Sequence, residues 1–81
     1  MEIDDRPAEV WADLYTPQDL GRFVADLRTS RGLTQAQLAE ELGVTRQYLS
    51  QIESGQPTLY GDRLFRLLRL LQGTLRGRYT P

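Results

Sequence analysis

Cysteine, histidine and lysine are all absent from this 81-residue chain. Without cysteine there is no disulfide and no thiolate chemistry, and without histidine the usual zinc ligands are gone as well. No metal site and no cofactor are expected. No apolar run approaches the roughly 18 residues that cross a bilayer, and no signal peptide opens the chain, so a cytoplasmic protein is the expectation. A phosphate-cradling glycine loop is missing too, as is any nucleophile beside a general base, which argues against an enzyme.

What the chain has instead is arginine, ten residues of it against eleven acids, for a net charge of −1. The two signs are unevenly spread. Residues 1–15 carry Glu2, Asp4, Asp5, Glu9 and Asp13 against Arg6 alone, while residues 16–81 carry nine arginines against six acids. An acidic N-terminal arm therefore precedes a basic body, and a basic body is what nucleic acid attracts. Arginine also suits bidentate contact with phosphate or guanine better than lysine does. At this length one domain with a modest core is expected, and pairing with a second copy would help it.

The rest is organised around Leu33 to Gly55. Thr34 and Thr45 each offer the small side-chain oxygen that a helix N-cap needs, and Gln37, three residues after Thr34, completes a capping box. Gly43 and Gly55 stand where a helix stops with positive φ. Only Val44 separates Gly43 from the second cap, so the turn is tight. Leu33, Ala36, Leu38, Ala39 and Leu42 are expected to form the apolar face of the earlier helix, and Leu49 and Ile52 that of the later one. Two helices joined by a short glycine-bearing turn make a helix-turn-helix, whose second helix can enter a DNA major groove.

These residues closely resemble the core of the Xre (Cro/repressor-type) family of DNA-binding domains. The family pattern is matched at Thr34-Gln35, Leu38-Ala39, Gly43-Val44-Thr45, Leu49-Ser50 and Glu53-Ser54-Gly55. The resemblance implies a compact, all-α, four-helix domain. It also implies that Arg28 pairs with Glu53 to staple the first helix to the third, leaving guanidinium donors for a phosphate.

Around this core, the N-terminal arm at 1–15 is open to two readings: a mobile tail with a partly docked Trp11, or a contact arm for a protein partner. A short helix beginning at Pro7 would put Val10, Trp11 and Leu14 on one stripe. The domain proper, 16–73, opens with Thr16-Pro17-Gln18-Asp19, a cap followed by a proline at the first helical position. Leu20, Phe23, Val24 and Leu27 then recur at helical spacing, with Arg22, Arg28 and Arg31 off the stripe. A fourth helix is expected from near Thr58 to about Gln72, ended before Gly73. Leu64, Phe65, Leu67, Leu68, Leu70 and Leu71 cover about 220° of the circumference, where a little over 100° suffices for one core. Either the core is thickly covered or Leu67, Leu70 and Leu71 face a second copy.

The tail, 74–81, alternates: Leu75, Gly77 and Tyr79 one way, Arg76, Arg78 and Thr80 the other. A frayed end is one reading. The other is a short strand, which lacks a hydrogen-bonding partner in a four-helix domain and so needs a strand from another chain, with Leu75 and Tyr79 in the dimer contact. Together the opening, the helix-turn-helix, the leucine-rich helix and the terminal strand resemble the HipB-type antitoxins. That resemblance implies a homodimer paired through its terminal strands, an inverted-repeat double-stranded DNA operator, a HipA-like Ser/Thr kinase toxin as partner, and a nucleoid-associated location. The acidic arm is a departure from that pattern. A stand-alone Xre-type regulator without a toxin is the alternative.

For reading DNA, the exposed face of the later helix supplies Arg46, Gln47, Ser50 and Gln51. Arginine fits guanine O6/N7 and glutamine fits adenine N6/N7, and by resemblance these are the base-reading positions. Thr34 and Gln35 match positions that bond a phosphate, at a helix N-terminus that favours an anion. Thr45 and Tyr48 are further phosphate candidates, with Arg28 through its spare donors.

Overall fold

A computed structural model describes residues 8–81. The element order is β1 (Val10–Leu14), α1 (Pro17–Ser30), α2 (Gln35–Leu42), α3 (Arg46–Glu53), α4 (Leu59–Leu70) and β2 (Leu75–Tyr79). Each helix begins where a threonine can cap it. Thr16, Thr34, Thr45 and Thr58 accept from the backbone N–H groups of Asp19, Gln37, Tyr48 and Gly61 respectively. Both bonds of the Thr34–Gln37 capping box form, at 3.1 and 2.8 Å. Gly43 closes α2 at φ 71°, a left-handed conformation that costs an L side chain energy. At the end of α4 the left-handed position falls on Gln72 at φ 56°, not on the glycine after it.

The chain is not all-α. β1 and β2 form a two-stranded antiparallel sheet within one chain, with Val10 opposite Tyr79, Ala12 opposite Gly77 and Leu14 opposite Leu75. The C-terminal strand thus finds its partner at the other end of its own chain and does not require a second copy for its hydrogen bonds. The segment read as a possible helix is that partner. Pro7 lies outside the described residues, and from Val10 onward period-2 alternation wins, so Val10 and Leu14 share one face and Trp11 takes the other.

Charge matches the register. On the outer face the Arg76 Nε donates to Asp13 at 3.0 Å, and Arg78 lies 3.7 Å from Glu9. Both guanidinium groups lean on the Trp11 ring, 5.5 and 5.4 Å from its centroid. On the inner face the Phe23 ring of α1 covers the strand at Gly77, where a β-carbon would sit 2.6 Å from two of its ring atoms. The glycine that weakens a strand locally is what lets α1 pack on it. Tyr79 meets Phe23 edge-on with centroids 5.7 Å apart, and the Arg31 guanidinium ties down the Thr80 carbonyl at 2.8 Å.

Among the described residues the fully buried apolar side chains are Leu14, Ala39, Leu49 and Phe65. Several residues expected inside lie elsewhere. Ala36 and Leu42 of α2 are exposed, since the inward face of this helix is Leu38 and Ala39, with Gln35 half-buried at its start. Ile52 is 39% exposed, at the margin of an apolar cleft it shares with Pro17, Leu20, Tyr60 and Leu64. On α4 Phe65 is buried and Leu64 and Leu68 half-buried, while Leu67, Leu70 and the C-cap residue Leu71 are 53%, 70% and 71% exposed. Leu75 is borderline, and Tyr79 is half-buried against its own chain.

Candidate nucleic-acid interface

The site is built on the placement of α3. Helix α1 crosses it at Gly21, where a β-carbon would land on the carbonyl oxygens of Ile52 and Glu53, so only glycine permits this approach. Seven residues further along α1, Arg28 reaches the same end of α3. Its Nε donates to Glu53 Oε2 at 2.7 Å and its Nη2 to Oε1 at 3.0 Å, a two-pronged pair. Its Nη1 donates to the Leu33 carbonyl at 2.7 Å, which ties down the loop before α2.

The Arg28 and Glu53 side chains are only 16% and 6% exposed. Arg28 holds the Glu53 carboxyl below the ordinary glutamate range, through the hydrogen bond first and the charge after it, against the opposing pull of burial. The same contact raises Arg28 above its ordinary value. Three of the five guanidinium N–H groups are committed to protein oxygens, which leaves two for any phosphate.

With α3 held from behind, its outer face is free. Leu49 is buried, and Arg46, Gln47, Ser50 and Gln51 are all exposed. Arg46, Gln47 and Ser50 line one open cleft of about 240 Å³ together with Gln35 from the start of α2. The structure therefore brings one of the phosphate candidates beside three of the base-reading candidates; Gln51 is exposed on the same helix but does not line that cleft. Thr34 and Thr45 stand at the N-termini of α2 and α3. Each hydroxyl oxygen accepts a backbone N–H, and each keeps its own proton to donate. Tyr48 is exposed on α3.

Sequence reasoning missed two features of this site. One is Gly21, which has no motif around it to mark it. The other is the bond from Gln35 Nε2 to Glu53 Oε1 at 3.0 Å, which joins the cleft to the Arg28 pair. Nothing in local spacing points to it, since its two residues are 18 positions apart.

A helix-turn-helix family model, HTH_3, matches residues 24–77. The chain is also 31% identical over 58 residues to the protein described as "Uncharacterized HTH-type transcriptional regulator y4mF" of Sinorhizobium fredii (strain NBRC 101917 / NGR234), a stretch covering 72% of this chain and 76% of that one. No solved structure matches the chain. Among the described residues no helix is long and apolar enough to cross a membrane.

Proposed function

The chain belongs to the Xre/Cro-type helix-turn-helix family of DNA-binding, non-catalytic transcriptional regulators, and from that premise we propose that it represses from an inverted-repeat operator as a homodimer. The observation that carries the reading is the split of α3, with Leu49 buried and four base-competent side chains exposed on the same eight residues. Arg46 reads guanine and Gln47 and Gln51 read adenine, with Ser50 as a further base contact. Thr34, Gln35, Thr45, Tyr48 and the spare donors of Arg28 hold phosphates, which set register and carry no sequence information.

The uncovered leucines of α4, Leu67, Leu70 and Leu71, supply the dimer contact, with Leu75 at its margin. A two-fold dimer places its half-sites about one helical turn apart, near 34 Å, or a multiple of it. Arg46→Ala or Gln51→Ala is expected to weaken operator binding by about 1–3 kcal/mol with little change on scrambled DNA. A gel-shift comparison of the two duplexes decides it, and operator affinity unchanged by both substitutions would overturn the assignment.

A second reading makes the chain a HipB-type antitoxin that also captures a HipA-like Ser/Thr kinase. Its support is Trp11, half-exposed between two arginines on the outer face of the sheet, a combination common at the centre of protein contacts. Against it, β2 pairs with its own β1, whereas the antitoxins it resembles pair terminal strands between chains. Co-purification from the native operon separates the readings, since a kinase either comes down with the chain or does not.

A further inference from the structure

Glu53 is the last residue of α3, and its carboxylate accepts three side-chain bonds: two from Arg28 and one from Gln35. Glu53 lies seven residues beyond Arg46 and three beyond Ser50, so all three share one stripe of the helix. Gln35 lies along that stripe, with its amide nitrogen on Glu53 at one end and the cleft of Arg46, Gln47 and Ser50 beside it. An ionised carboxylate only accepts, so it dictates which way the amide of Gln35 turns. One N–H of that nitrogen goes to Glu53, and the second is left free.

We propose that Glu53 is a positioning residue for DNA binding: it orients the Gln35 amide so that its remaining N–H faces a phosphate in register with the base readers of the same stripe. The inference rests on the DNA-binding reading above and goes beyond it, because Glu53 would repel DNA were it exposed and, besides pairing with Arg28 to hold α3, reaches a phosphate only through Gln35. The Arg28 pair gives it this role. Arg28 fixes both carboxylate oxygens from the α1 side and, through the Leu33 carbonyl, the loop two residues before Gln35. Carboxylate and amide are thus located by the same guanidinium.

The test uses a random-sequence duplex at low ionic strength, where phosphate contacts dominate, with affinity read by fluorescence anisotropy. Gln35→Ala and Glu53→Gln are each expected to weaken binding about five-fold, the worth of one such hydrogen bond. The double variant should bind no more weakly than Gln35→Ala, because Glu53 has nothing left to position. Losses that multiply to about 25-fold would overturn the role. Gln35→Asn leaves the Arg28–Glu53 pair intact and shortens the reach by one methylene, which covers the case in which Glu53→Gln fails to fold. It should bind as weakly as Gln35→Ala, and native affinity in that variant would overturn the role.

An NMR readout needs no DNA. The side-chain amide signals of Gln35 should move in Glu53→Gln while the backbone signals of α3 stay in place. Amide signals that do not move sink the positioning role alone. A native chain that ignores duplex while those signals report the bond sinks the DNA-binding reading, and the role with it.

Discussion

Helices α3 and α4 each bury a single side chain completely, Leu49 in one and Phe65 in the other, yet they are held in opposite ways. Eight-residue α3 is located by directed contacts: a crossing that only Gly21 allows, a two-pronged ion pair at Glu53 and the amide of Gln35. Twelve-residue α4 rests on Phe65, Leu64 and Leu68 and leaves Leu59, Tyr60, Leu67, Leu70 and Leu71 largely in solvent. A helix that must meet base edges within fractions of an ångström needs fixed angles and distances, which area alone does not provide. A helix that offers an apolar face to a partner needs area and little else. On the function proposed above, the tight half of the molecule would do the reading and the open half the assembling.

Breaking the ion pair should produce the largest effect. Arg28→Ala strands a carboxylate that is 6% exposed and frees the loop carbonyl of Leu33. The expected loss is about 3–5 kcal/mol. A domain of this size has little more than that to lose, so the variant is expected to be largely unfolded. The denaturant midpoint measures it, and a shift of less than about 1 kcal/mol would place α3 under the control of burial instead.

The same pair sharpens the contrast through pH. Arg28 holds the Glu53 carboxyl below its ordinary value of 4.5, so the unfolded chain takes up a proton there before the folded one does. The stabilisation is complete above that ordinary value and is lost as pH falls through the lower, folded one. The native chain should therefore lose stability progressively below about pH 4.5. Glu53→Gln, already weaker at neutral pH, should show a shallower decline over the same range. Urea titrations at stepped pH give both curves, and parallel curves would show that Glu53 is not the group responsible.

How legible these two halves were in the sequence follows from the range of the contacts that make them. Caps, the left-handed Gly43 and the split of α3 depend on neighbours within four residues, and each leaves its mark in the order of residue types. Arg28 with Glu53 was accessible only through resemblance, and Gln35 with Glu53 was not accessible at all. The sheet is the instructive miss. Glu9 and Asp13 carry charges spaced to meet Arg78 and Arg76, and Val10, Ala12 and Leu14 alternate with Trp11 and Asp13, so period 2 was present in the acidic arm. A proline upstream and three apolar residues that also fit a helical stripe favoured the wrong period. The fit of Gly77 is invisible locally because what fills the space beside it, the ring of Phe23, comes from a helix 54 residues earlier. Helical spacing points Ile52 and Leu42 inward, but spacing gives a face its direction and not its depth.

The smallest effect on the protomer, and the most telling for α4, should come from Leu70→Gln and Leu71→Gln. Both leucines are about 70% exposed, so neither change removes much apolar area from a folded single chain. Each should alter protomer stability by no more than about 0.5 kcal/mol. If the leucines lie between two copies, a buried polar amide at that contact has no guaranteed partner and association weakens sharply. Sedimentation equilibrium should then find a native dimer and a variant monomer. Operator binding should fall in step, because two linked half-site contacts become two independent ones. A loss of protomer stability above about 1 kcal/mol would move these leucines into the core of a single chain. A native chain that sediments as a monomer would leave the apolar face of α4 to a partner of another kind, and the contrast between a reading half and a self-assembling half would fail on its second term.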